Sequence, residues 1–343
     1  MRRLLNVLYV TTQDSYLACE GENVLLRHEN EVKLRVPILN LEGIVCFGLV
    51  GISPALMGLC TEQNVAISFL TQHGAFLGKI VGPVAGNVLL RRQQYRLADD
   101  QTASARLASK FITAKLLNTR AVLDRAIRDH ADRVPADRVE SIIHLLGQHA
   151  QDLQRCSDLD SVRGIEGEAS RQYFDVLDHL ILENKSAFFL RDRSRRPPRD
   201  RMNCLLSFLY TLLAHDVRSA LETVGLDPAV GFLHRDRPGR PSLALDLMEE
   251  LRPVLADRLA LTLINRRQVA AEGFAIQDSG AVWMDDDTRK AVLTAWQKRK
   301  QEDIRHPFLD EKLEFGLIPY AQALLLARHL RGDLDDYPPF IWR

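Results

Sequence analysis

Apolar residues come in short runs broken by turn residues up to about residue 85 and follow a helical period from about residue 100, and this change restricts the architecture most strongly. In the front part, residues 4–10, 16–19 and 23–26 form short apolar runs separated by polar clusters and Gly21-Glu22. Val32, Leu34 and Val36 then alternate with Lys33 and Arg35, the pattern of a half-buried strand. Further strands are expected over residues 43–47, 65–70 and 76–81, with one helix over 54–62 capped by Ser53 and opened by Pro54. Behind residue 100, amphipathic patterns predict helices over residues 101–131, 137–152, 166–182, 203–224, 242–265, 288–301 and 318–330. Gly225 and Gly332 stand where helix-ending glycines belong, and residues 274–284 read as a small hairpin. The expected fold class is α+β: a β-rich domain over residues 1–85, a linker over 86–100, and a larger α-helical domain over 101–343. Residues 82–86, with their proline, are the expected hinge.

A chain of 343 residues can bury two cores of this kind. Its 45 basic and 45 acidic residues cancel, which argues mildly against nucleic acid but leaves room for locally segregated charge. The five cysteines are odd in number and lack C-x-x-C spacing, so a reducing cytoplasm is expected rather than a disulfide framework or a zinc site. The N-terminal apolar run is short, holds Asn6 and is followed by Thr11-Thr12-Gln13-Asp14, so it reads as a strand and not a signal peptide. No stretch approaches a membrane span, and no membrane association is expected.

Three separated stretches carry acids or an imidazole in settings that a divalent cation could use: Gly164-Ile165-Glu166-Gly167, Gly231-Phe232-Leu233-His234 and Asp246-Leu247-Met248-Glu249-Glu250. Two carboxylates and a histidine hold Mg²⁺ or Mn²⁺ while leaving positions for phosphate oxygens. Each stretch also has a plain structural explanation. Glu166 could complement the start of a helix, His234 could be one of several hydrogen-bonded histidines, and the acidic cluster could be a solvated helix face. Two features argue against the last. Pro253 removes the N–H that would bond the Glu249 carbonyl, predicting a kink, and stacked like charges favour a cation. Glu249 is therefore the preferred ligand, with Asp246 and Glu250 in support behind it. Six arginines crowd residues 191–201, whose prolines forbid a continuous helix, so a mobile loop is expected there.

Taken in order, these stretches resemble the metal-dependent integrase of CRISPR adaptation, the universal CRISPR-associated endonuclease family. Leu205-Leu206-Ser207-Phe208-Leu209-Tyr210, residues 225–234, residues 246–253 and Ile38-Leu39-Asn40-Leu41-Glu42-Gly43-Ile44 carry the likeness over nearly the whole chain. The closing Tyr337-Pro338-Pro339-Phe340-Ile341-Trp342-Arg343 and the length resemble its I-C subtype. The resemblance implies an N-terminal β-sandwich for homodimerisation and an α-helical catalytic domain. Its metal ligands carry over as Glu166, His234 and Glu249, the last being Asp in some relatives. Insertion of short foreign DNA into a CRISPR repeat array, by attack of a 3′-hydroxyl, is the implied activity. The implied partners are double-stranded DNA and a small ferredoxin-like subunit. Arg193, Arg195, Arg196 and Arg199 are the first candidates for phosphate contacts, against a bland role as a solubilising loop. Hydrolysis of branched or damaged nucleic acid by the same residues, and a non-catalytic DNA-binding scaffold, are the alternatives.

Overall fold

The computed structural model describes residues 7–29, 31–41, 43–63, 65–72, 76–80 and 88–342. The chain divides into two compact units, Met1–Gly86 and Asn87–Arg343. The hinge expected at residues 82–86 lies outside the described residues, as does the start of the first apolar run.

In the first unit the strands are β1 (Val7–Val10), β2 (Ser15–Glu20), β3 (Asn23–His28), β4 (Glu31–Pro37), β5 (Gly43–Phe47), β6 (Val50–Ile52), β7 (Ala66–Leu70) and β8 (Phe76–Ile80). Helix α1 (Pro54–Glu62) follows β6, with the Ser53 hydroxyl accepting from Leu56 N and Pro54 in the first turn, as the sequence predicts. Two mixed sheets form, ordered β1-β5-β7-β8 and β4-β3-β2-β6. Val10, Ile44, Cys46 and Ile67 from one sheet meet Leu17, Val24 and Ile52 from the other, with Leu56 and Cys60 of α1, in a single buried cluster. One expectation is corrected. β4 is an edge strand with Val32 50% and Leu34 38% exposed, so its alternation does not mark a half-buried strand within this chain.

The second unit contains α2 (Val88–Asp99), α3 (Gln101–Asp129), α4 (Ala136–Asp152), α5 (Leu159–Leu177), α6 (Arg201–Thr223), α7 (Ser242–Met248), α8 (Arg258–Asn265), α9 (Asp286–Lys300) and α10 (Ile318–Arg331). The predicted hairpin is β9 (Phe274–Ile276) with β10 (Val282–Met284). A second antiparallel pair that the sequence reading did not include joins β11 (Asp303–Arg305) to β12 (Lys312–Glu314). Residues 86–100, read as a linker, are helical from Val88 to Asp99. The 29-residue α3 is capped by Asp100 and buries Ala105, Ala108, Phe111, Ile112, Leu116 and Leu123 against α4, α5 and the segment after α7. Gly225 and Gly332 both take the left-handed conformation expected of them.

Two helix boundaries bear on the site, and the first differs from expectation. α5 begins at Leu159, where the Asp158 carboxylate accepts from Ser161 N, so Glu166 lies inside the helix and not at its entry. Gly164 and Gly167 are tolerated helical glycines, each costing roughly 1 kcal/mol against alanine. The second concerns residues 242–265. The break expected near Pro253 is present: α7 ends at Met248, Glu249–Leu251 turn, and Arg252–Asp257 form a π-helical stretch before α8.

Candidate metal centre

Glu166 projects from α5 toward Lys115 of α3, whose ammonium donates to Glu166 Oε1 and, at 2.9 Å, to Ser170 Oγ. The Ser170 hydroxyl, one helical turn beyond Glu166, donates to the same carboxylate oxygen at 2.9 Å. Burial pushes the Glu166 carboxyl up, but the Lys115 charge and these hydrogen bonds outweigh it and hold the group down at about 2. Lys115 Nζ also stands 3.0 Å from Glu249 Oε2. That approach is an ion pair without hydrogen-bond geometry, because Glu249 Oε2 is buried and has no donor. On its other oxygen Glu249 pairs with Arg252 at 2.7 Å, and the Arg252 guanidinium lies over the Tyr210 ring, 4.9 Å from its centroid. The turn after α7 thus brings a fully buried carboxylate to the same ammonium that Glu166 holds.

His234 is placed from three directions. Gln94 of α2 donates to the carbonyls of Asp227 and Val230, both at 2.8 Å, and accepts from Asp227 N, fixing the turn that leads to the histidine. Arg163, one turn before Glu166 on α5, donates to the Leu233 carbonyl at 3.0 and 2.7 Å. Asp246 of α7, wholly buried, accepts from the backbone N–H groups of Phe232, Leu233 and His234 and from His234 Nδ1 at 2.6 Å. In the neutral ring, donation from Nδ1 to Asp246 leaves the Nε2 lone pair for another ligand.

The loop comes this close because residue 231 has no side chain. A Cβ at Gly231 would stand 2.7 Å from Asp246 Oδ2 and 2.8 Å from the Ser242 carbonyl carbon. Gly231→Ala is expected to shift the loop from Asp246 and lower stability by about 1–3 kcal/mol, the usual cost of overpacking. Thermal unfolding checks it, and an unchanged melting temperature would show that the loop has slack.

Glu250, expected to support the same cation, is turned the other way. Its carboxylate accepts from Gln322 at 2.9 Å, Tyr337 Oη at 2.8 Å and Phe340 N at 2.8 Å, and Asn118 of α3 donates to the carbonyls of both Glu250 and Phe340. Burial pushes its carboxyl up to about 8 although these donors pull the other way. Glu250 therefore fastens the C-terminal segment behind the turn that carries Glu249. Helical i,i+4 facing does not extend from Asp246 to Glu250, because the helix ends between them.

Glu166 and His234 line one cavity of about 400 Å³, with Arg163, Leu233, Arg235, Arg237 and Arg240. Burial, followed by the like charges of Arg237 and Arg196, pushes the Arg240 guanidinium below its usual value. Arg196 belongs to the arginine-rich stretch over residues 191–201. That stretch is a loop, as expected, and hydrogen bonds hold it: Asn203 accepts from Arg193 and Ser194 N, Ser194 Oγ accepts from Arg199 N, and Pro198 O accepts from Val282 N. Arg193 points inward over the Tyr210 ring, whereas Arg195, Arg196 and Arg199 are exposed. Lys115, Arg252, Arg163 and the arginines after His234 went unassigned in the sequence. For the last group Arg235-Asp236-Arg237-Pro238-Gly239-Arg240 offered a signal, whereas Lys115 and Arg252 resemble any other helical cation.

The donor types suit a divalent cation: a carboxylate held ionised, an imidazole with Nε2 free, and a buried carboxylate oxygen with no hydrogen bond. Among the described residues, however, no three acidic, histidine or cysteine groups gather closely enough to enclose a metal ion. The Lys115 ammonium stands between Glu166 and Glu249.

Two carboxylates and an imidazole beside an arginine-lined cavity suit phosphoryl transfer assisted by a metal. The sequence profile of the family described as CRISPR associated protein Cas1 matches residues 8–298. CRISPR-associated endonuclease Cas1 1 of Chlorobaculum tepidum is 54% identical, with the alignment covering all of both chains. In fold, the chain is similar to a Cas1 protein from Thermotoga maritima, at a TM-score of 0.81 and 22% identity over 95% of this chain and 97% of that one. A casposase bound to its integration product gives a TM-score of 0.83 at 20% identity, over 98% and 94% of the two chains. The chain belongs to the Cas1 family of CRISPR-associated proteins.

Proposed function

We propose that the protein inserts short foreign DNA into a CRISPR repeat array, using Glu166, His234 and Glu249 to hold Mg²⁺ or Mn²⁺. As a member of the Cas1 family it is a DNA endonuclease and integrase. The observation that carries the site assignment is the meeting of Glu166 and His234 in one arginine-rimmed cavity, with Glu249 joined to Glu166 through Lys115. A bound ion would supply Lewis acidity toward a phosphoryl oxygen, and the imidazole in the donor set favours Mn²⁺ relative to Mg²⁺. Asp246 keeps the His234 ring oriented, and Arg237 and Arg240 offer charge to a phosphodiester entering the cavity.

The remaining readings rest on narrower support. Homodimerisation through the first unit would cover the exposed apolar residues Val32 and Leu34 on edge strand β4. A small ferredoxin-like subunit and membership of subtype I-C rest on the sequence resemblance and on the closing residues 337–343. A cytoplasmic location fits five unpaired cysteines and the lack, among the described residues, of a helix long and apolar enough to cross a membrane.

The test is strand transfer from a short duplex with free 3′-hydroxyls into a repeat-bearing plasmid. Transfer that disappears with EDTA or with dideoxy-terminated duplex supports the reading. Nicking that persists with blocked 3′ ends, with no joined product, would return the site to hydrolysis. The exposed arginines permit a separate measurement. If Arg195 and Arg196 bind phosphate, neutralising both should reduce the salt slope of DNA binding by roughly two units. An unchanged slope assigns them to solubility.

A further inference from the structure

We propose that Lys115 is a positioning residue of the catalytic centre: its ammonium holds Glu166 and Glu249 together in the metal-free protein, and it yields when a divalent cation binds between them. The proposal rests on the reading of Glu166 and Glu249 as ligands. Lys115 lies in the middle of α3 and is only 8% exposed. Lysine is rarely buried unless paired, and an unpaired ammonium at such depth is strongly unfavourable. Here its partners are the two carboxylates assigned to the metal, with Ser170 taking a further hydrogen bond.

Charge explains why this cation is required. Glu166 and Glu249 face Lys115 and Arg252, so the metal-free cluster is neutral. Without Lys115, two carboxylates from distant parts of the chain would sit together with one guanidinium, and their repulsion would drive the turn after α7 away from α5. A divalent ion placed among the same groups makes the cluster positive, and the ammonium then opposes it. Arg252 is pinned between Glu249 and the Tyr210 ring. Lys115 ends a flexible four-carbon stem that can withdraw its head while α3 stays in place. Glu249 Oε2 lies at 3.0 Å from that head yet accepts no hydrogen bond from it, so little directional bonding is lost there.

The experiment compares the full-length wild type with Lys115→Met and Glu166→Ala by thermal unfolding in EDTA and in Mn²⁺, and by electron paramagnetic resonance of free Mn²⁺. Lys115→Met is expected to melt at a lower temperature than wild type in EDTA and to gain more from Mn²⁺. It should also bind Mn²⁺ about tenfold more tightly, the lower end of what a neighbouring unit charge does to a carboxylate's proton affinity. Lys115→Gln, which keeps a donor for Glu166, carries the same expectation should the methionine variant fail to fold. Neither outcome depends on strand transfer. Mn²⁺ binding that is lost in Glu166→Ala but no tighter in either Lys115 variant overturns the proposal and leaves the ligands standing. A wild type that binds no Mn²⁺ overturns both.

Discussion

Glu166→Ala, His234→Ala and Glu249→Ala are each expected to lower metal-dependent strand transfer by at least ~10²-fold, since the three groups share one ion. The variants should differ in a second respect. Glu166 and His234 reach the cavity, and their side chains are 28% and 21% exposed. Their removal should leave the fold intact. Glu249 is 3% exposed and partners both Lys115 and Arg252, so Glu249→Ala leaves the buried Arg252 without its carboxylate and Lys115 with Glu166 alone, and should cost about 3–5 kcal/mol of stability. Glu249→Gln preserves the shape and is the cleaner probe of ligation. Strand transfer and thermal unfolding measured on the same preparations separate the two effects. Wild-type transfer in any of these variants, with EDTA also without effect, would remove the metal site.

Asp246→Asn should lower strand transfer by about 10- to 100-fold through His234, the size typical of a residue that orients a metal-bound histidine. Asp246 accepts three backbone N–H bonds and the His234 Nδ1–H bond, divided between its two oxygens. An amide cannot reproduce this, because whichever oxygen becomes NH₂ then faces a donor. A stability loss of about 1–3 kcal/mol should accompany it. The double variant with His234→Ala tells a positioning role from an independent one. If Asp246 acts through the histidine, Asp246→Asn adds little once the ring is gone. Additive losses would instead show that Asp246 acts independently of the histidine, through the backbone it holds.

Local signals located many elements of the fold. Ser53-Pro54 opens α1, and Gly225 and Gly332 take the left-handed turns expected after helices. Pro253 marks the interruption that separates α7 from α8. The start of α5 was misplaced because Gly164 and Gly167 look like a turn. Asp158, the true cap, bonds an N–H three residues on, in a stretch with little apolar periodicity. β4 shows the opposite problem, since alternation reports two different faces without saying what, if anything, covers the apolar one.

What the sequence by itself determined was therefore local. It set the change from strands to helices, several helix ends, and three stretches bearing groups that a divalent cation could use. Which of those groups meet was decided by tertiary packing. Lys115 reaches Glu166 and Glu249 because α3 packs against both α5 and the segment after α7. Asp246 and Glu250 are neighbours in sequence, yet one orients His234 while the other clasps the chain end beside Gln322 and Tyr337. The physical reason is that capping and periodicity act within a few residues along the chain. The pairing of a buried charge depends instead on the cation that long-range packing brings beside it, which neither residue's own neighbours encode.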